Sequence, residues 1–200
     1  MYRGSGPRIF PLIVIILVVA LVVAALVSVG RIIFSGNSTP TTTSQNKETL
    51  AAAVLNTGDS RSVRWTVRGP IVADENFRSY QITVSPTSRI YVVYSGYLDQ
   101  VVSTKTLNNN KKAYEQLVYA LDKAEISKTR TAKDEDFRGV CATQGVAYMF
   151  ETMASDKVDQ TIWSSSCKGS KGTMTANAAQ VQALFVNQIP DFKPIFTEIY

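Results

Sequence analysis

The stretch Ser-Val-Arg-Trp-Thr-Val-Arg at residues 62–68 alternates apolar and polar side chains without interruption. Val63, Trp65 and Val67 fall on one face of an extended chain, and the polar side chains fall on the other. This period of two predicts a β-strand with one buried side. Residues 79–84 repeat the alternation and predict a second strand of the same kind.

The remaining secondary structure follows from similar patterns. Residues 89–95 are apolar on both faces, which predicts a central strand covered on each side. Further strands are predicted at residues 101–107, 145–153 and 160–166, and helices at residues 47–55, 111–124 and 177–189. The short connections favour antiparallel pairing. We therefore expect an α+β domain with a mainly antiparallel sheet of about six strands, covered by two or three helices.

An uncharged apolar segment of 21 residues occupies positions 9–29, and Ser28 is its only polar residue. As a helix it would be roughly 31 Å long, which matches the ~30 Å hydrocarbon core of a bilayer. The sequence therefore predicts a transmembrane anchor at residues 9–34, in contact with the lipid bilayer. A cleavable signal peptide is the alternative, since Ala24, Ala25 and Ser28 resemble a cleavage site, although the apolar region of a signal peptide is shorter, at ~7–15 residues.

Basic residues predict the orientation of this anchor. Arg3 and Arg8 precede it, whereas Arg31 and the more distant Lys47 follow it. The bias places the N-terminus inside and the C-terminal part outside the cell membrane, as in a single-pass protein. We expect a cytoplasmic N-terminus at residues 1–8, the anchor at 9–34, a flexible Ser/Thr-rich linker at 35–46 and an extracytoplasmic domain at 47–200.

One face of the predicted membrane helix carries small residues. Ala20, Ala24 and Ser28 are spaced four residues apart, and this spacing permits a homo-oligomer through close helix packing. The alternative is that small residues are simply common in such helices.

The formal charge of +5 by itself would suggest a nucleic-acid partner, but the positions of the charges indicate another cause. Because Arg3, Arg8 and Arg31 flank the apolar segment, residues 35–200 carry eighteen Lys and Arg against sixteen Asp and Glu. The basic balance therefore reflects membrane topology, and we expect no nucleic-acid partner.

The chain has two cysteines and no histidine. The absence of histidine excludes Ser-His-Asp and Cys-His catalysis and His-ligated metal sites. Cys141 and Cys167 lie symmetrically about Ala154, so a hairpin centred there would bring them together as a disulfide at its open end. Buried free thiols, or a reactive Cys167 beside Lys168, are the alternatives.

No specific catalytic motif emerges. Ser165 and Lys168 fit the S-x-x-K pattern, but that pattern needs a helix and here it falls at a predicted strand end. Carboxylates at Asp74-Glu75 or at Asp156 and Asp159 are available for glycoside chemistry, although such spacing is non-specific. We expect no cofactor and no metal, and a non-enzymatic function is favoured over a small envelope-polymer-modifying enzyme that uses carboxylates or Ser/Lys.

The loop at residues 69–77 is too long for a simple hairpin turn, and long loops on a rigid sheet are common recognition sites. Arginines beside it offer hydrogen-bond donors, and nearby tyrosines offer contact area. The candidate binding surface comprises Arg64, Arg68, Asp74, Glu75, Arg78, Tyr91 and Tyr97. The alternative is that the arginines are an ordinary solvated strand face and the tyrosines are packing residues.

The segments VRGPIVADEN at 67–76, YQITVSP at 80–86 and QIPD at 188–191 resemble single-pass membrane-anchored proteins of Saccharibacteria-type bacteria. The resemblance covers residues 47–192 and brings no activity and no functional residues with it. It implies an envelope with a single membrane, in a cell that lives attached to another bacterium, and hence an adhesion or envelope role.

The sequence thus predicts a membrane-anchored extracytoplasmic domain that binds a protein or cell-wall partner. A secretion or division subunit that works through its membrane helix is a third hypothesis.

Overall fold

The computed structural model describes residues 48–132, 136–141 and 144–193. The chain divides into two units, Met1–Asn46 and Lys47–Tyr200, and the described residues all belong to the second. The predicted anchor at residues 9–34, its flanking segments and the small-residue face lie outside these residues. Among the described helices, none has the length and apolar character that a membrane crossing requires.

Six strands form one antiparallel sheet in the order β4-β3-β2-β1-β5-β6. Their bounds are Arg61–Arg68 for β1, Arg78–Val84 for β2, Ser88–Ser95 for β3, Gln100–Asn108 for β4, Ala147–Ala154 for β5 and Lys157–Ser165 for β6. With three helices, this arrangement confirms the predicted α+β class. β1 lies inside the sheet between β2 and β5, so residues far apart in sequence pair across it.

The alternation in β1 separates two faces of the sheet. Val63, Trp65 and Val67 are buried on the face that the helices cover. The Trp65 ring stacks on that of Phe185 at a centroid distance of 5.9 Å. The predicted inward residues of β2 are buried on the same face, so the apolar period of two is confirmed in both strands.

The helices α1 (Leu50–Leu55), α2 (Lys111–Lys123) and α3 (Ala178–Val186) begin where polar side chains cap them. The Asn110 side chain accepts a hydrogen bond from the Ala113 N–H at 2.9 Å, and Asn177 accepts from the N–H groups of Ala179 and Gln180. Such caps satisfy backbone donors that a helix leaves unpaired.

Two predictions about strands need correction. β3 lies inside the sheet, but Ile90 and Val92 are only partly buried, because none of the three described helices covers that face of the sheet. The β5–β6 turn is centred on Ser155 and Asp156 rather than Ala154, and Ala147 pairs with Ser165. Both turn residues have positive φ (48° and 63°), which suits a tight two-residue hairpin turn, shorter than the gap at residues 154–159 between the two predicted strands.

Candidate functional site

The loop that connects β1 to β2 is held in shape by Asp74. A 3₁₀ turn spans Asp74–Asn76, and the Asp74 carboxylate accepts a hydrogen bond from the backbone N–H of Tyr97 at 2.7 Å. Gly96 lies against this carboxylate with φ at +69°, and a Cβ there would approach its oxygens to 3.0 Å. The carboxylate of Asp74 therefore joins this loop to the β3–β4 turn.

Tyr97 holds the same loop through its ring and its hydroxyl. Its ring stacks on Phe77 at a centroid distance of 4.2 Å. Its hydroxyl donates to the Val72 carbonyl at 2.7 Å and accepts from the Val72 N–H at 3.0 Å. Even so, 40% of Tyr97 remains exposed, as does 41% of Ile71.

Two arginines support the base of the loop. The Arg68 guanidinium lies over the Phe77 ring at 5.0 Å and donates to the Asp99 carboxylate at 3.2 Å. Arg78 donates to the backbone carbonyls of Glu75 and Phe77, each at 2.8 Å. These contacts orient the aromatic ring of Phe77, which is buried under the cation.

A cavity of about 310 Å³ opens between this loop and residues 137–140. Its apolar lining includes Ile71, Phe77, Tyr97, Phe137, Val140 and Ala147. The backbone N–H of Ile71 donates to the carbonyl of Cys141 at 3.2 Å and joins the two walls. The volume is at the lower end of the range for small-ligand sites.

The predicted disulfide is confirmed. Cys141 and Cys167 are bonded, with their Cα atoms 5.5 Å apart. Because of the corrected hairpin register, Cys167 follows the end of β6 beside Gly145, and the chain bends at Gly145 (φ +96°) to bring Cys141 back to it. The bond therefore anchors the cavity wall at residues 137–140 to the sheet.

The structure brings five of the seven candidate binding residues together. Arg68, Asp74, Glu75, Arg78 and Tyr97 surround the loop at one end of the sheet.

The other two candidates lie apart from this group. Arg64 lies on the sheet face opposite to the described helices, where its Nε donates to the Glu151 carboxylate at 2.6 Å. Tyr91 is buried on the opposite, helix-covered face, and its ring packs against Phe192. Burial raises the pKa of its hydroxyl above the usual value. Tyr91 is thus a packing residue, which is the alternative given above for the tyrosines.

The second wall of the cavity was not predicted. Phe137 and Arg138 end a stretch rich in charged residues at 127–138, which is typical of a solvated loop, and Val140 follows it. Their only sequence signal is an aromatic and a branched apolar residue next to a half-cystine. The Asp136 carboxylate accepts hydrogen bonds from the backbone and guanidinium of Arg138, which hold the pKa of that carboxyl below its usual value.

The residues considered for catalysis have other partners. The Ser165 hydroxyl donates to the Ser170 carbonyl, and Cys167 between Ser165 and Lys168 is in the disulfide. Asp159 pairs with Arg61 at 3.3 Å. In the described ranges no three His, Cys, Asp or Glu side chains converge as metal ligands would.

Comparison with known proteins does not add an activity. The chain matches no protein-family model and no curated protein.

Proposed function

We propose that this protein is a single-pass membrane-anchored, extracytoplasmic binding domain of the cell envelope and is not an enzyme. Residues 9–34 hold it in the bilayer, and residues 47–200 present the cavity beside the β1–β2 loop to a protein or cell-wall partner. The apolar segment of the sequence and the basic residues before it support the anchor and its orientation.

The cavity carries the binding part of the proposal. Ile71 and Tyr97 both line it and both remain exposed, although burial would stabilise each of these side chains. The loop is held by Asp74, Tyr97 and the Ile71–Cys141 hydrogen bond, so a partner would meet a preformed surface. An apolar concavity with a few polar groups on a rigid support is the usual form of a binding site.

The disulfide supports the extracytoplasmic location of the domain. Structural disulfides persist in oxidising surroundings and are rare in the cytosol. Cys141 and Cys167 form such a bond next to the cavity wall at residues 137–140. The wall would therefore keep its covalent link to the sheet in an oxidising extracytoplasmic space. Protease treatment of intact cells tests this placement. We expect residues 47–200 to be digested without lysis, and protection from the protease until lysis would overturn the orientation.

Site-specific photo-crosslinking in intact cells tests the binding surface. A benzophenone side chain at Ile71 is expected to capture the partner. The matched control is the same side chain at Tyr119, an exposed apolar residue on α2. Ala147→Leu, which adds volume to the cavity lining, should abolish capture at Ile71. Equal capture at both positions, or capture that survives Ala147→Leu, would overturn the cavity as the contact site.

A further inference from the structure

The charges of the cavity indicate which chemistry it selects. Arg68 and Arg138 are the charged side chains among its described lining residues, and the rest of the lining is mainly apolar. Asp99 and Asp136, their counter-ions, do not belong to that lining. A ligand in the cavity therefore lies beside two arginine residues and a mainly apolar surface.

Both arginines retain hydrogen-bonding capacity. Arg68 contacts Asp99 through Nη1, and Arg138 contacts Asp136 through Nε. A guanidinium has five N–H donors, so each has donors beyond those used in its ion pair. Both ion pairs have exposed partners, so water screens them and each pair is weak. An incoming carboxylate can share or replace these contacts at little cost.

The volume restricts the apolar part of the ligand. A cavity of about 310 Å³ at the lower end of the ligand-site range accommodates one or two apolar side chains. A long acyl chain would extend beyond it. The occupant that combines this size with a nearby carboxylate is a peptide segment.

Building on the proposed function, we propose that the cavity binds a peptide segment of the partner in which a large apolar side chain stands next to a carboxylate. The apolar side chain enters between Phe77, Phe137 and Val140. The carboxylate accepts hydrogen bonds from Arg68 and Arg138 at the mouth. Charge-assisted contacts of this kind are stronger than neutral ones, so they discriminate between acidic and amide side chains.

Fluorescence anisotropy with the full chain in lipid nanodiscs tests this proposal. The probe is a fluorescein-labelled pentapeptide with phenylalanine followed by aspartate. Two matched peptides replace the aspartate by asparagine or the phenylalanine by alanine. We expect the first peptide to bind roughly tenfold more tightly than either control peptide, and Ala147→Leu to abolish its binding.

Charge-removing variants then identify the groups responsible. Arg68→Gln and Arg138→Gln should each reduce the preference for aspartate over asparagine. Lys128→Gln is the control, since Lys128 also pairs with an exposed acid but lies outside the cavity lining. Its preference should equal that of the unmodified protein, and an equal reduction in all three variants would overturn the assignment to the two arginines.

The outcomes separate this inference from the proposed function. Equal binding of the aspartate and asparagine peptides would overturn the anionic ligand class. So would tighter binding of a fluorescent fatty acid than of any peptide. In either case, capture at Ile71 that Ala147→Leu abolishes would leave the proposed binding function standing. Loss of that capture pattern would overturn the proposed function itself.

Discussion

Gly145 lies so close to Cys167 that a Cβ on the glycine would approach the Cys167 Sγ to 2.7 Å. A Cβ on Gly145 would also approach the Ser166 Oγ to 2.6 Å, and the φ of Gly145 is +96°. Two conditions, a left-handed backbone and absence of a side chain, therefore have to be met for the chain to turn from Cys141 into β5.

Gly145→Ala should destabilise the domain by roughly 2–4 kcal/mol, since it combines backbone strain with a clash at the disulfide. Gly169→Ala is the matched control, because Gly169 has a φ of +95° and no atom within 4 Å of a Cβ. That variant should cost only about 1 kcal/mol. Urea unfolding followed by circular dichroism measures both, and equal effects would show that the close approach to Cys167 is unimportant.

Replacing both cysteines by serine should lower the free energy of unfolding by about 3 kcal/mol, because the bond between Cys141 and Cys167 closes a chain segment with a sequence separation of 26 residues. The wall at residues 137–140 also loses its covalent link to the sheet. Capture of the partner at Ile71 should therefore fall more than the loss of folded protein explains. If the folded fraction of the double cysteine-to-serine variant captured the partner as well as the unmodified protein does, the disulfide would have no role in shaping the cavity.

Two of the ion pairs of β1, those of Arg64 and Arg68, should differ in importance. The Glu151 side chain is only 7% exposed, so Arg64→Ala leaves a buried carboxylate without its cation and should cost about 2–4 kcal/mol. Arg68→Ala leaves Asp99, whose side chain is 46% exposed, and should cost about 1 kcal/mol or less. Urea midpoints of the two variants test this order. Equal losses would mean that burial of Glu151 does not decide the difference.

Stability should fall as pH rises above 10, partly through Tyr114. Burial raises the pKa of the Tyr114 hydroxyl from 10.0 to about 12, with a smaller opposing effect from Arg61. The neutral phenol is thus favoured in the folded state, and this stabilisation is lost between pH 10 and 12. At pH 11 the folded protein should lose about 1 kcal/mol through this group, relative to pH 9.

Tyr114→Phe keeps the ring and removes the titrating hydroxyl, so the variant should lose less stability than the unmodified protein between pH 9 and pH 11. Tyr119→Phe on the same helix is the control, since Tyr119 is exposed. Urea unfolding at the two pH values provides the comparison. A fall of equal size in Tyr114→Phe and in the unmodified protein would contradict the assignment to Tyr114.

The secondary structure could be predicted because its signals are local. The alternation of Val63, Trp65 and Val67 and the helix that starts at Lys111 depend on neighbouring residues only, and both were confirmed. The disulfide was also predicted, although from a hairpin register that was wrong. Cys141 and Cys167 still meet because the bend at Gly145 makes up for the shift in register.

The sequence by itself determined the strands, the helices, the α+β class and the expectation of an apolar membrane segment. Only the tertiary structure decided that β5 pairs with β1, that Tyr91 points into the core, and that Phe137 and Val140 face Ile71 across a cavity. An alternating strand pattern shows which side chains share a face but leaves the neighbouring strand open. The cavity joins segments some 70 residues apart, and such contacts depend on long-range packing that no local pattern encodes.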